Sequence, residues 1–428
     1  MKYAVVTFGC RVNQADSIGL ERQLRALGGR PVPAADADLV VVNTCSVTAT
    51  ADHGARQAIR RIARTNPTAR IVATGCYATR AAADVAALPG VTAVVDNADK
   101  AQLAVCLGLE PESTTAQRFG GGDGACGDTI RPGTAGRTGY TLRVQTGCDE
   151  TCAYCIIPST RGQGRSVPLD RLSAELDDVA SAGFNEVAVT GVHLGSYGRD
   201  LRPRQTLGAL LDLLDSHASG LTYRISSLEP MDCGPSVVDL VARSGRFVPH
   251  LHLPLQHASD RVLRAMRRPY TSDYYRRLVS DIRRRLPDAA IGSDIIVGFP
   301  GETEEDAEKN CQYLRSSPLT YLHVFPYSDR PGTDATRLSG KLPGPVIRER
   351  GRTIREVGAS LAGQFRASQV GKVRAGLTIE DGSVVVTDNY LKVRVPSGAP
   401  DNQRVDVLIT GADETVTGTV VGFASASV

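Results

Sequence analysis

Residues 140–155 read Tyr140-Thr141-Leu142-Arg143-Val144-Gln145-Thr146-Gly147-Cys148-Asp149-Glu150-Thr151-Cys152-Ala153-Tyr154-Cys155. A β-rich run, Thr141–Gln145, leads straight into a loop whose cysteines are spaced C-x3-C-x2-C. Three thiolates at this spacing hold three irons of a [4Fe-4S] cube. No fourth cysteine follows within reach, so the fourth iron stays open for a ligand that is not protein. An open iron on a low-potential cluster is where S-adenosylmethionine (SAM) binds and is cleaved reductively. A structural zinc site fails on count, because it takes four ligands in closely spaced pairs.

Downstream of the loop, β-rich runs alternate with helical patterns. The strand candidates after Thr141–Gln145 are Glu186–Thr190, Thr222–Ser226, His250–Pro254, Ile291–Val297 and Tyr321–Phe325. Helical periodicity separates them at Leu169–Ala182, Leu207–His217, Asp260–Met266, Asp273–Arg285 and Glu304–Leu314. Six such units predict a partial (β/α)6 barrel, with its site at the carboxyl ends of the strands. Cys148 follows the first strand, so the cysteine loop opens at that end.

Upstream, one unit repeats. Tyr3–Phe8, Asp38–Val42 and Arg70–Ala73 are apolar runs, followed by Gly9-Cys10, Asn43-Thr44-Cys45 and Thr74-Gly75-Cys76. Helical patterns at Ser17–Leu27 and His53–Arg64 fill the gaps. The pattern predicts a doubly wound parallel sheet. The cysteines lie 35 and 31 residues apart, about one βαβ repeat each. Each stands just past the carboxyl end of its strand, the edge where open parallel sheets bind ligands. Three cysteines distant in sequence are therefore expected to converge. With no evident fourth ligand, they suit a second iron–sulfur cluster that also has an open iron.

Glycine-rich sequence at 111–139, with Cys126 inside it, predicts a flexible linker. A charged helix, Val346–Arg366, precedes short alternating runs at Val373–Ile379, Ser383–Thr387, Leu391–Val395, Arg404–Ile409 and Thr415–Val421. Turns at Asp381-Gly382 and Ser397-Gly398 divide them, and the pattern predicts a small antiparallel barrel. The expected domains are thus 1–110, 140–365 and 366–428, with the linker at 111–139.

The chain has 428 residues, 42% hydrophobic and 22% charged, with a net charge of +3. That balance permits a nucleic-acid partner without demanding one. No apolar run reaches the roughly eighteen residues a membrane span needs. The start, Met1-Lys2-Tyr3-Ala4-Val5-Val6, runs into a strand pattern and lacks a signal peptide's apolar region, so a cytoplasmic location is expected. In that compartment ten cysteines are metal ligands or plain thiols, not disulfides. Cys106, Cys126, Cys233 and Cys311 are expected to be incidental.

Around the first triplet, Tyr154 offers an aromatic wall, a backbone contact to adenine, or loop packing. Gly298-Phe299-Pro300-Gly301-Glu302-Thr303 follows the fifth barrel strand. It is either an adenine contact, through Gly298 and Glu302, or a tight turn with Thr303 as N-cap. Glu229 ends the third strand, to bind ribose hydroxyls or an amino group, or to pair with an arginine. His252 and His257 suit hydrogen bonding better than metal ligation. Arg264, Arg267, Arg268, Arg283, Arg284 and Arg285 either touch phosphate or are simply solvated. From Arg366 onward six Lys/Arg stand against seven Asp/Glu, so RNA contact there would rest on Lys372, Arg374, Lys392 and Arg394, with Tyr390 for stacking.

Read together, Phe8-Gly9-Cys10-Arg11-Val12-Asn13-Gln14, Asn43-Thr44-Cys45, Thr74-Gly75-Cys76, the Cys148 loop, Leu253-Pro254-Leu255-Gln256 and Asp294–Thr303 resemble the radical SAM methylthiotransferases over nearly the whole chain. The last part resembles that family's TRAM domain. Gly9-Cys10-Arg11-Val12-Asn13-Gln14, Ser226-Ser227-Leu228-Glu229-Pro230 and Thr190–Gly198 look most like the subgroup acting on N6-threonylcarbamoyladenosine of tRNA. His193 and His257 depart from the usual residues. The resemblance implies that Cys148, Cys152 and Cys155 hold the radical-generating [4Fe-4S] cluster, and Cys10, Cys45 and Cys76 an auxiliary one that carries sulfur. It implies two SAM molecules, one methylating the sulfur and one yielding a 5′-deoxyadenosyl radical that takes hydrogen from adenine C2. The target carbon must lie between the two clusters. An electron donor, a sulfur donor and tRNA are the implied partners, with no membrane. The alternatives are a ribosomal-protein aspartate or isopentenyladenosine as substrate, or a non-enzymatic iron–sulfur RNA-binding protein.

Overall fold

The computed structural model describes residues 1–109, 131–132, 138–396 and 399–423. Most of the expected linker, with Cys126, and the Ser397-Gly398 turn lie outside the described residues. The chain forms two compact units. The first comprises Met1–Ile130, Thr146–Glu150 and Cys155–Gly164, and the second Arg131–Gln145, Thr151–Tyr154 and Arg165–Val428. The division therefore runs through the cysteine loop rather than ahead of it.

In the first unit the elements are β1 (Lys2–Thr7), α1 (Arg11–Ala26), β2 (Arg30–Pro31), β3 (Leu39–Thr44), α2 (Ala49–Thr65), β4 (Arg70–Gly75), α3 (Cys76–Arg80), α4 (Ala82–Ala86), β5 (Val91–Val95) and α5 (Leu103–Cys106). The sheet runs β2-β1-β3-β4-β5, with every pairing parallel. Alternate strand residues feed opposite cores. Val40, Val42, Ile71 and Ala73 pack with Ile59, Ile62 and Tyr77, whereas Leu39, Val41 and Val72 pack with Leu20 and Leu24. Two buried faces explain the nearly continuous Val/Ile runs. The order reverses direction beside β1, and β1, β3 and β4, the strands that precede the cysteines, are neighbours.

The chain continues through β6 (Tyr140–Arg143), β7 (Gln145–Thr146), α6 (Ile157–Arg161), β8 (Arg165–Ser166), α7 (Leu169–Ser181), β9 (Glu186–Thr190), α8 (Leu207–Ser216), β10 (Thr222–Ile225), α9 (Pro235–Arg243), β11 (His250–His252), α10 (Asp260–Ala265), α11 (Ser272–Arg285), β12 (Ala290–Val297), α12 (Glu304–Arg315), β13 (Tyr321–Pro326) and α13 (Gly344–Ser368). Strands β6, β9 and β10 form one parallel sheet and β11, β12 and β13 another. A Ser227–His252 bridge joins them, so the six strands follow chain order as an incomplete barrel. Expected strand limits agree within two residues; α9, which opens on Pro235, was not anticipated.

Strands β14 (Val373–Ile379), β15 (Val384–Thr387), β16 (Lys392–Arg394), β17 (Arg404–Ala412) and β18 (Val416–Phe423) close a barrel in the order β14-β15-β16-β18-β17. The expected small barrel is present: four of its five pairings are antiparallel, and β16 pairs with β18 in parallel. Strand β17 lies between these two in sequence but not in the barrel. Val385, Val393, Val405, Val407, Ile409 and Val416 fill the interior.

Two of the four basic residues expected to meet RNA, Lys372 and Arg374, reach Asp288 of the core. Lys372 bonds Asp288, and Arg374 bonds both oxygens of Asp388, at 2.9 and 2.7 Å. From the core, Arg224 pairs with Glu186 at 2.9 Å and donates to the Asp388 carbonyl at 3.0 Å. Tyr390, at φ 69°, stacks on His250 with ring centroids 4.4 Å apart and lies under the Arg224 guanidinium. Tyr390 is thus seated against the core while 43% of its surface stays exposed. Glu186, His250 and Ala290 begin their strands, so the barrel sits at the amino ends of these strands.

Candidate metal centres

The strand-end cysteines converge. Cys10 caps α1, Cys45 follows β3 and Cys76 opens α3. Gly9 and Gly75, at φ +91° and +95°, make the turns that aim them. A Cβ on Gly9 would lie 2.4 Å from the Cys45 sulfur, and one on Gly75 2.2 Å from the Thr44 carbonyl. Side-chain amides tie the strand ends together. Asn13 donates to the carbonyls of Phe8 and Thr44, both at 2.8 Å, and Asn43 donates to the Asn13 carbonyl at 2.8 Å. The Thr44 hydroxyl donates to the Thr74 carbonyl at 2.6 Å.

Beneath this edge lie buried charges. Asp16 accepts from Lys100 and from Arg161, each at 2.9 Å. Lys100 also donates to Asn43 Oδ1 at 3.1 Å. Burial pushes the Lys100 amine below its ordinary value, and Asp16 opposes the shift. Burial also pushes the Cys45 thiol up to about 11, with Cys10 and Cys76 adding to the rise. Crowded thiols resist becoming thiolates together, and bound iron reverses that preference. Asn97 Nδ2 lies 3.6 Å from the Cys76 sulfur, the kind of N–H donor that iron–sulfur sites use. Three converging thiols, a glycine whose missing Cβ makes room, and an aimed amide together fit a cluster held by three cysteines.

In the loop of the first triplet, the Cys148 amide donates to the Gly162 carbonyl at 3.0 Å, and the Glu150 amide to the Cys148 sulfur at 3.4 Å. In the second unit, Arg268 Nη1 lies 3.2 Å from the Cys152 sulfur. Arg268 is 8% exposed, which corrects the expectation of a solvated or phosphate-touching arginine. It pairs with Glu229 and donates to the Tyr270 hydroxyl at 3.0 Å. Of the alternatives for Glu229, the arginine pair is the one present. Burial raises its carboxyl, and Arg268 opposes the rise. Tyr154 packs against Phe299, Val262 and Met266, and burial drives its hydroxyl well above the ordinary value.

The Gly298–Thr303 stretch is the tight turn. Glu302, its side chain 1% exposed, accepts from the amides of Gly298 at 2.6 Å and Phe299 at 3.1 Å, and pairs with Arg350 at 2.9 Å. Its carboxylate locks the turn. The space a Gly298 Cβ would take is filled by Ile347, at 2.5 Å. Thr303 caps α12 in a capping box with Asp306. His252 and His323 both bond Asp294, at 3.0 and 3.2 Å, and His252 Nδ1 meets the Tyr321 hydroxyl at 3.2 Å. The ligand atoms of His252, Asp294 and His323 lie within 4.8 Å of one another. Asp294 answers both rings, so hydrogen bonding accounts for the group. Cys233 and Cys311 are buried, and burial pushes the Cys233 thiol up to about 12. Among the described residues no helix is long and apolar enough to cross a membrane.

Sequence reading did not single out Asn13, Asp16, Asn43, Lys100, Asn97 or Arg161. Asn13 and Asn43 stand inside motifs around the cysteines, so motif membership was their signal. For Lys100 the sequence holds none.

An incomplete parallel barrel with a three-cysteine loop after its first strand defines a radical SAM protein. The "Radical SAM superfamily" model matches residues 142–314, and the "Uncharacterized protein family UPF0004" model matches residues 2–96. The radical SAM methyltransferase TsrM of Kitasatospora setae shares the fold, with a TM-score of 0.52, 16% identity, and coverage of 76% of this chain and 72% of that one. The threonylcarbamoyladenosine tRNA methylthiotransferase MtaB of Aquifex aeolicus is 36% identical over 96% of this chain and 100% of its own. The Bacillus subtilis protein of that name is 34% identical over 90% of this chain and 88% of its own. The ribosomal protein uS12 methylthiotransferase RimO of Roseiflexus sp. is 34% identical over 98% of this chain and 94% of its own. The chain belongs to the radical SAM methylthiotransferase family, an enzyme family whose fold implies a [4Fe-4S] cluster and SAM.

Proposed function

We propose that the protein methylthiolates C2 of N6-threonylcarbamoyladenosine, next to the anticodon on its 3′ side, in tRNA. The observation that carries this reading is the likeness to relatives named for that activity, at 36% and 34% identity along most of the chain. The Gly9-Cys10-Arg11-Val12-Asn13-Gln14 signature supports it. Two [4Fe-4S] clusters and two SAM molecules would supply a methylated sulfur and a 5′-deoxyadenosyl radical, drawing on an electron donor and a sulfur donor.

Cys148, Cys152 and Cys155 would hold the cluster that meets SAM, and Cys10, Cys45 and Cys76 the sulfur-carrying one. The N–H donors of Arg268 on Cys152 and Asn97 on Cys76 favour the thiolate forms these roles need. Tyr154 and the Glu229–Arg268 pair would wall the SAM side, and the Gly298 turn would shape it from β12. Lys392 and Arg394, both exposed on β16, remain as barrel contacts for RNA.

Nucleoside mass spectrometry of bulk tRNA from cells with and without the active protein tests this reading. The 2-methylthio form of threonylcarbamoyladenosine should vanish without it. Unchanged nucleoside in cells lacking a redundant enzyme, together with loss of a methylthio mass from ribosomal protein uS12, would assign the other substrate, in keeping with the uS12-modifying relative at 34% identity.

A further inference from the structure

Arg161 ends α6, six residues after Cys155, yet two of its partners, Asn13 and Asp16, belong to the sheet edge of the other triplet. Its Nη2 bonds Asp16 at 2.9 Å and also meets Asn13 Oδ1, and its Nη1 meets Thr146 Oγ1 at 3.1 Å. Asn13 is the residue that ties the strand ends beside Cys10 and Cys45. Side-chain exposure is 3% for Arg161, 1% for Asp16 and 6% for Lys100. Burying an arginine so deeply costs much hydration, and the cost is met only where the charge is answered. Here two buried cations, Arg161 and Lys100, share the Asp16 carboxylate. Arg161 lies within electrostatic reach of Cys10 and Cys76, and Lys100 within reach of Cys76.

Three thiolates on a [4Fe-4S] core already leave the assembly anionic. A sulfur ligand entering as hydrosulfide or thiolate adds a further negative charge. A fixed guanidinium nearby lowers the electrostatic cost of that ligand. Arginine also keeps its charge where a buried lysine is prone to lose it.

We propose that Arg161 is a positioning residue that strengthens the hold of an anionic sulfur ligand, hydrosulfide or thiolate, on the open iron at Cys10, Cys45 and Cys76. The proposal rests on the second-cluster reading above. It adds a link in the chain itself: the segment that follows the SAM-side cysteines supplies a cation to the sulfur-side site.

The test is a titration of the reconstituted full-length protein with methanethiolate, followed by electron paramagnetic resonance and normalised to iron and acid-labile sulfide. Arg161→Gln should bind about tenfold more weakly at full cluster content, the order expected of one unit charge in a partly screened interior. Arg161→Lys should bind more tightly than Arg161→Gln but more weakly than wild type, because a lysine buried at this position holds its charge less firmly than arginine. Equal affinity in wild type and Arg161→Gln at full cluster content overturns the proposal. Should Arg161→Gln fail to load iron, Asp16→Asn decides: freeing the cations should tighten binding, and unchanged or weaker binding overturns it. A wild-type protein that loads one cluster and binds no thiolate overturns the second-cluster reading itself, and this inference with it.

Discussion

The two cysteine triplets reach similar ends by opposite means. Cys148, Cys152 and Cys155 lie within eight residues, so one loop carries all three. Cys10, Cys45 and Cys76 come from three neighbouring parallel strands and meet only because the sheet has formed. Local spacing needs little around it beyond donors such as Arg268 on Cys152. An assembled site needs its strand ends held in register, which is the work of Asn13, Asn43 and Thr44. A local site is legible from spacing and survives distant damage. An assembled site is exposed to any change that moves one strand end.

The largest expected effects separate the triplets by function. Cys152→Ala should abolish both 5′-deoxyadenosine formation and the methylthio product. Cys45→Ala should keep 5′-deoxyadenosine formation and lose only the methylthio product. Chromatography of both products in anaerobic assays checks this, and loss of both in folded Cys45→Ala would mean the division of labour is wrong. Gly9→Ala probes assembly without touching a ligand. Its Cβ would lie 2.4 Å from the Cys45 sulfur at a backbone φ of +91°, so the assembled site should lose its iron while the local one keeps its own. Iron content near half of wild type, with 5′-deoxyadenosine formation retained, is the expected result.

What the sequence disclosed follows the same division. Glu186–Thr190 and Val373–Ile379 were legible to the residue, because alternating or continuous apolar runs between turn formers have one good reading. Helix α1 was expected from Ser17 but begins at Arg11. The polar stretch Asn13–Asp16 looks like loop, yet Asn13 and Asp16 are buried there as ties for the cluster edge. Arg161 and Lys100 were missed for a related reason. Long cations are ordinarily surface residues, and only tertiary partners 145 and 84 residues away make these two internal. Arg374 and Tyr390 carried a true signal of an interaction surface, but a partner of each, Asp288 and His250, lies in the core of the same chain.

The docking of the C-terminal barrel gives a third, smaller contrast, since buried charge joins side-chain amides such as Asn389 and Asn185 in holding it. Arg224→Ala would strand Glu186 and leave the Asp388 and Thr387 carbonyls short of a donor. Removing one partner of a buried pair costs roughly 3–5 kcal/mol, and the partial exposure of Glu186 places the effect at the low end, about 3 kcal/mol. Differential scanning calorimetry should show the barrel melting earlier, with both cluster contents unchanged. A cooperative single transition at the wild-type temperature would show that barrel and core do not depend on this pair.

Lowering the pH sharpens the contrast between the two sheet edges. The amide and hydroxyl ties at Asn13, Asn43 and Thr44 do not titrate. The turn after β12 packs beside His257, a fully buried imidazole whose Nδ1 accepts from the Ser259 amide at 2.9 Å and whose Nε2 lies 4.0 Å from Glu302. Burial lowers its pKa to about 4; Arg350 and Arg261 push the same way, and Asp306 pulls against them. The unfolded chain takes up this proton near the ordinary value of 6.5, and the folded chain not until about 4. The neutral ring therefore contributes stability that is complete above about 6.5 and is lost as the pH falls through that window. The upper bound is about 3 kcal/mol, from about 1.4 kcal/mol per pH unit, and relaxation around the ring should bring the observed loss to about 2 kcal/mol. Denaturant unfolding of wild type and His257→Gln between pH 7 and pH 4 measures it. The difference between the two curves isolates His257 from the buried carboxyls Glu302 and Asp306, which titrate in both proteins. The gap between the variants should narrow by that amount on acidification, whereas parallel curves would mean that His257 is protonated in the fold or reached by water.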